Sequence, residues 1–199
     1  MESIKQADIT RATILEAAYA EIYRQGFQGA SIANILSNTG LTRGALYHHF
    51  RTKQALGLAV VDEIIRERLT IRFFEPLRMS PKPLETLLAI LETIPARAHE
   101  LLPLGCPLNN LMQEMSPIDP TFREHLNSIL DEWLATVEQA LQRAQVAGEL
   151  KSDVDCQAAA LFIVSAWEGC IGIAKNLQSI NALFNCGQQL QTYIRSLIR

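Results

Sequence analysis

FQGASIANILSNTGLTRGALYHHFRTKQAL, residues 27–56, is the stretch on which the reading of this chain turns. Ser31 stands as an N-cap before Ile32, Ile35 and Leu36, an apolar stripe of one and a half helical turns that closes at Ser37. Thr39-Gly40-Leu41 supplies a turn. Thr42 then caps a short helix to about Phe50, in which Ala45, Leu46 and Phe50 face inward while Arg43, Gly44, Tyr47, His48 and His49 cannot all do so. Helix, glycine-containing turn and second helix follow one another here at the spacing of a helix-turn-helix.

The same residues carry a family likeness. The Gly26-Phe27 turn, Ser31 with Ile32-Ala33, Ile35, Gly40-Leu41 and above all GALYHHF followed by Lys53 resemble the DNA-binding region of the TetR/AcrR family of transcriptional regulators. The likeness covers residues 10–60, and an outline of about nine helices extends it toward the C-terminus. It implies a homodimer with one recognition helix per subunit, double-stranded operator DNA as a partner, and a C-terminal body that takes a small-molecule effector. By the same resemblance Tyr47 and His49 sit where family members touch phosphate or sugar. Lys53 adds a phosphate contact at the start of the connecting helix, and Ser31 does likewise at the second helix.

The residue types suit that task. A recognition helix needs side chains that reach base edges and donors that grip the phosphates around them. Arg43 is the candidate for reading guanine, Gly44 leaves room for the backbone to approach the groove, and Thr42 offers a hydroxyl and a backbone amide to a phosphate. Tyr47, His48 and His49 extend the surface. A packed Tyr47 is disfavoured, because Leu46 and Phe50 already fill the inward i and i+4 positions of a very short helix.

Outward from this motif the pattern stays helical, which sets an all-α fold: apolar residues recur at three and four, without the alternation of strands. Helix one is expected from about Thr10 to Arg24, with Gly26 as a left-handed C-cap. A connecting helix runs from Gln54 to about Phe74 until Pro76 stops it. Further helices are expected from Ser80-Pro81 to about Leu102 with a kink at Pro95, from Pro107 to Met115, from Asp119-Pro120 to near Gly148, from a Ser152 or Asp153 cap to Asn176, and from Ile180 to Ile198. The last two are apolar enough to suggest a four-helix dimer contact. The division expected is a DNA-binding domain at residues 8–68, with the start of the connecting helix, and a ligand-binding and dimerisation domain at 69–199.

Bulk properties exclude several classes. The chain has 199 residues, 48% hydrophobic and 20% charged, and its formal charge of -3 is unevenly spread. Residues 1–68 hold eight Lys and Arg against seven Asp and Glu; residues 69–199 hold ten against fourteen. Charge of this size does not by itself argue for nucleic acid. No apolar run approaches the ~20 residues of a membrane span and no signal peptide opens the chain, so the expected location is cytoplasmic. Cys106, Cys156, Cys170 and Cys186 show neither a C-x-x-C pair nor a repeated spacing, and are expected as reduced thiols without metal. There is no H-E-x-x-H, nucleophile elbow or phosphate loop, so no enzyme and no cofactor is expected.

The effector half is less informative. His99, Asn109, Met112, Trp133, Phe162 and Trp167 are candidates for lining a mostly apolar cavity, each of which also suits a plain core. GCPLNNLMQE, residues 105–114, is similar to a G-C-x-x-x-N-L segment of a family subset in which some members sense electrophiles or oxidants, which singles out Cys106. Placed just before the helix that Pro107 begins, its thiolate would meet a positive dipole end; the competing reading is a buried, inert thiol. The function expected is a ligand-responsive repressor that releases its operator, with a transcriptional activator, or a helical interaction module without specific DNA binding, as alternatives.

Overall fold

The computed structural model describes residues 2–93, 96 and 98–199, with side chains described for all of these except residues 2–6 and Glu100. The expected kink at Pro95 lies outside the described residues. Among those described, the regular elements are all helical, and the one β-like feature is an isolated bridge between Leu150 and Ile198. In order they are α1 (Glu2–Gly29), α2 (Ile32–Leu36), α3 (Arg43–His49), a continuous helical stretch α4 over residues 53–79, α5 (Pro83–Glu92), α6 (Ala98–Leu104), α7 (Pro107–Met115), α8 (Pro120–Val146), α9 (Cys156–Leu177) and α10 (Ile180–Ser196). The chain packs as two compact units: residues up to 68 with 107–127, and residues 69–106 with 128–199. A cut at residue 68 therefore leaves out α7 and the first turns of α8, which pack with the N-terminal helices.

In the first unit, α1 buries Ile14, Leu15, Ala18, Tyr19 and Ile22 against Ile35 and Leu36 of α2, Leu46 and Phe50 at α3, and Leu56, Val60, Val61 and Ile64 of α4. The rings of Phe27 and Phe122 meet with centroids 4.6 Å apart. Gly57 lies under them, and a Cβ there would come within 2.5 Å of Phe27 and 2.8 Å of Phe122. Arg11 grips Glu63 with both guanidinium nitrogens, and Arg68 pairs with Glu16 while lying 3.9 Å over the Tyr19 ring.

Gly26 closes the long first segment of α1 as expected, and a short second helical segment follows it. The glycine takes a left-handed φ of 76° and the helix resumes to Gly29. Glu114 of α7 explains the resumption: its carboxylate accepts from the backbone N–H groups of Phe27 and Gln28, both at 2.8 Å, which the break would otherwise leave without partners.

α4 departs from expectation, because Pro76 does not stop it. Segments Lys53–Ala59, Arg66–Leu69 and Glu75–Met79 alternate with π turns at Val60–Ile65 and Thr70–Phe74. Pro76 falls in the first turn after the second of these, where a missing N–H is tolerated.

The second unit is built on α9 and α10, with α6 packed on α9 and α5 on α10. Phe73 stacks between Trp133 and Trp167, at 5.0 and 5.4 Å. Arg143 closes the end of α4 by donating to the carbonyls of Leu77, Arg78 and Ser80. Asp155, neither Ser152 nor Asp153, caps α9 by accepting from Ala158 N–H. The expectation of four reduced thiols is corrected too: Cys170 and Cys186 form a disulfide between α9 and α10, their Cα atoms 5.6 Å apart, which leaves Cys106 and Cys156 free. By length and composition alone α9 is long and apolar enough to cross a bilayer, against the sequence expectation; here half of that stretch is buried within the fold.

Candidate nucleic-acid interface

α2 and α3 are each fixed by a side-chain cap. Ser31 Oγ accepts from Asn34 N–H at 3.0 Å, and Thr42 Oγ1 accepts from Ala45 N–H at 3.2 Å. The turn between them is held by Thr39, whose hydroxyl donates to the Leu36 carbonyl and accepts from Leu41 N–H, while Gly40 takes a left-handed φ of 68°. Glu21 of α1 braces the pair from behind: its nearly buried carboxylate accepts from Asn34 Nδ2 and from Arg24. Those two partners, Arg24 first, hold its pKa below the usual carboxylate value.

α3 then divides cleanly. Leu46 and Phe50 are buried, whereas Thr42, Arg43, Gly44, Tyr47 and His48 are exposed, Tyr47 by 46%. His49 is half-buried, its ring edge-on to His48 at 5.2 Å. Gly44 has ordinary helical geometry, and a Cβ on it would meet only Thr42 Oγ1 at a comfortable 3.7 Å. The fold itself does not call for glycine there, although glycine costs a helix about 0.5–1 kcal/mol relative to alanine. Lys53 is more constrained than its sequence position suggested: its ammonium donates to the Gln28 carbonyl at 3.2 Å and lies 4.7 Å over the Phe27 ring. Arg51 is exposed in the loop after α3, a cation that the motif reading passed over.

Of the seven effector candidates, Asn109 and Met112 belong to the first unit and the other five to the second. Trp133 and Trp167 are core residues around Phe73. Phe162 is 50% exposed and packs edge-on to Tyr193 of α10. His99 is exposed on α6, and Asn109 and Met112 lie on α7 in the other unit, half-buried. Cys106 is 7% exposed, and the group that interacts with its thiol is one that sequence reading missed, Glu168 of α9. Both Glu168 carboxyl oxygens are buried without a hydrogen-bond partner, the thiol contact falling short of a full bond.

Burial pushes the Glu168 pKa from 4.5 up to about 7, the Cys106 contact pulling weakly the other way. The folded state thus keeps a proton that the unfolded chain loses near its ordinary value, so stability falls as pH rises between those two values and levels off above the higher. Glu168→Gln is expected to abolish this slope and to exceed the parent in unfolding free energy at pH 8 by on the order of 3 kcal/mol. Denaturant titrations at pH 5 and pH 8 check it; equal pH dependence in the two proteins would contradict it.

A model of the bacterial regulatory proteins of the tetR family matches residues 14–60, and one of the tetracyclin repressor-like C-terminal domain matches residues 83–189. The chain belongs to the TetR family. A TetR transcriptional regulator from Chloroflexus aurantiacus is 30% identical and superposes with a TM-score of 0.87 over 98% of each chain. The transcriptional regulator AcuR of Cereibacter sphaeroides is 29% identical over 85% of this chain and 78% of its own length. The transcriptional repressor DhaR of a Mycobacterium is 24% identical over 81% and 80%. This TetR-family chain is accordingly a DNA-binding transcriptional regulator of a family whose members are typically repressors.

Proposed function

We propose that the chain is a cytoplasmic homodimeric repressor that holds a two-fold operator through α3 of each subunit and lets it go when a small molecule acts on the C-terminal unit. The observation that carries this reading is the division of α3, with Leu46 and Phe50 buried beneath an exposed run of Thr42, Arg43, Gly44, Tyr47 and His48. Arg43 reads a base edge, Gly44 lets the backbone close on the groove, and Thr42, Tyr47, His49, Ser31, Lys53 and Arg51 position the phosphates. His48 extends the same surface. Selection of bound duplexes from a random pool tests it: the expected product is a palindrome whose half-sites lie one helical turn, about 34 Å, or a multiple of that, apart. A pool that yields no enriched sequence would overturn it.

The dimer reading rests on an apolar face of α9 and α10. Leu161, Phe162, Ile173, Leu177, Ile180 and Phe184 are all roughly half exposed, and Gly169 and Gly172 open onto empty space. A lone subunit would leave this patch in water; a four-helix contact with a second copy covers it. Leu161→Asp places an unpaired charge in that contact and is expected to raise the dimer dissociation constant at least ~100-fold. Sedimentation velocity checks this, and an unchanged dimer would rule out the face.

For the effector we infer a thiol-reactive compound acting at Cys106. The chain runs from this buried thiol directly into α7, the helix whose Glu114 holds the amides of Phe27 and Gln28. A group added at Cys106 therefore acts on the start of the helix that braces the Gly26 kink and, just beyond it, α2. Retention of the operator after full modification of Cys106 would refute this.

A further inference from the structure

We propose that Glu168 is the proton acceptor for Cys106 when that thiol adds to a small α,β-unsaturated carbonyl compound, the two side chains forming one reactive site within the C-terminal unit. The inference rests on the reading of Cys106 as the effector residue and deepens it by naming the chemical class and the second participant.

Glu168 lies on the buried side of α9, only 8% exposed, with both carboxyl oxygens unpartnered. A carboxyl in that condition lowers stability and a leucine would fill the space without the penalty, so its presence asks for a chemical use. The side chain it meets is a nucleophile. Burial, and then the Cys106 thiol, are what set its ionisation. Burial brings the affinity of the carboxylate for a proton close to that of an ordinary thiol, about 8.5, the match that general-base transfer favours.

The step balances without an added reagent. The Cys106 thiol proton passes to a Glu168 oxygen as the sulfur lone pair forms a bond to the β-carbon. The C=C π pair moves onto the carbonyl as an enolate. Return of the proton to the α-carbon gives a thioether and restores the carboxylate, with no leaving group and no change in total oxidation state.

Cys156 is an internal control. It is also a buried free thiol, but burial and the nearby charges of Asp155 and Glu138 raise its pKa, and its Sγ donates to the neutral acceptors Gln145 Oε1 and the Val154 carbonyl in place of a carboxylate.

The test uses the full chain and acrylamide as the probe, with peptide mass mapping of both thiols over time from pH 6 to pH 9. Cys106 is expected to alkylate at least tenfold faster than Cys156. In Glu168→Gln the Cys106 rate at pH 7.5 should fall on the order of tenfold, and its pH profile should shift upward to that of an unaided thiol, while the Cys156 rate stays put. Glu168→Asp should recover part of the rate. A Cys106 rate equal in parent and Glu168→Gln, or a Cys106 no faster than Cys156, overturns the proposal. Operator release, scored on the same samples, separates the two readings. Glu168-dependent alkylation without release sinks the effector role and leaves the pair standing. Release with equal rates in Glu168→Gln does the opposite.

Discussion

Alanine in place of Arg43 will weaken binding to a selected operator by about 2–6 kcal/mol per dimer, since each subunit loses a base contact of ~1–3 kcal/mol. In affinity this is roughly 30-fold to 10⁴-fold, and discrimination among base pairs at one position of each half-site should relax with it. The basis is local: Arg43 is the first residue of α3, exposed beside the Thr42 cap, and the buried Leu46 fixes which way that end of the helix faces. Lys53→Ala provides the contrast. Its ammonium is held by the Gln28 carbonyl and the Phe27 ring, and in the proposed docking it meets phosphate alone, so its loss should weaken all duplexes alike and reduce the salt slope by about one per subunit. Anisotropy titrations at matched salt check both, and an Arg43→Ala protein with parental affinity and specificity would refute the assignment.

The second large effect is expected at a residue far from α3. Glu114→Ala will lower the unfolding free energy of the N-terminal unit by about 3–6 kcal/mol, because two charge-assisted hydrogen bonds of ~1.5–3 kcal/mol each end on its carboxylate. Removing the acceptor leaves the Phe27 and Gln28 amides without partners beside a kink that only glycine accommodates. Glu114→Gln, which keeps one oxygen, should fall between parent and alanine. Denaturant midpoints, read with hydrogen exchange at those two amides, check it. A change under about 1 kcal/mol with both amides still protected would show that the kink is held by something else.

Glu114 also marks where sequence reading ends. Caps are contained within four residues, so Ser31, Thr42 and Asp119 were legible and the structure has all three, Asp119 accepting from Thr121 and Phe122. The inward stripe of α3 was legible for the same reason. A bond from Glu114 to an amide 87 residues earlier leaves no local signature. Nor does the meeting of Cys170 with Cys186, whose separation of 16 residues matches no familiar spacing until the antiparallel packing of α9 on α10 supplies it. Pro76 misled because a proline is normally a breaker; the π turn ahead of it, which removes the demand for its N–H, is a tertiary outcome. Nothing local in the sequence singles out Glu168, and only its burial beside Cys106 does.

The central claim is that two copies of α3 engage one duplex together. Titration of the purified protein against its selected palindrome, with scrambled duplex as competitor, at one fixed ionic strength and with the stoichiometry measured in the same experiment, tests it most directly. The account predicts two subunits per palindrome and a preference of at least ~10³-fold over scrambled sequence. One subunit bound per duplex, or equal affinity for both sequences, would contradict it.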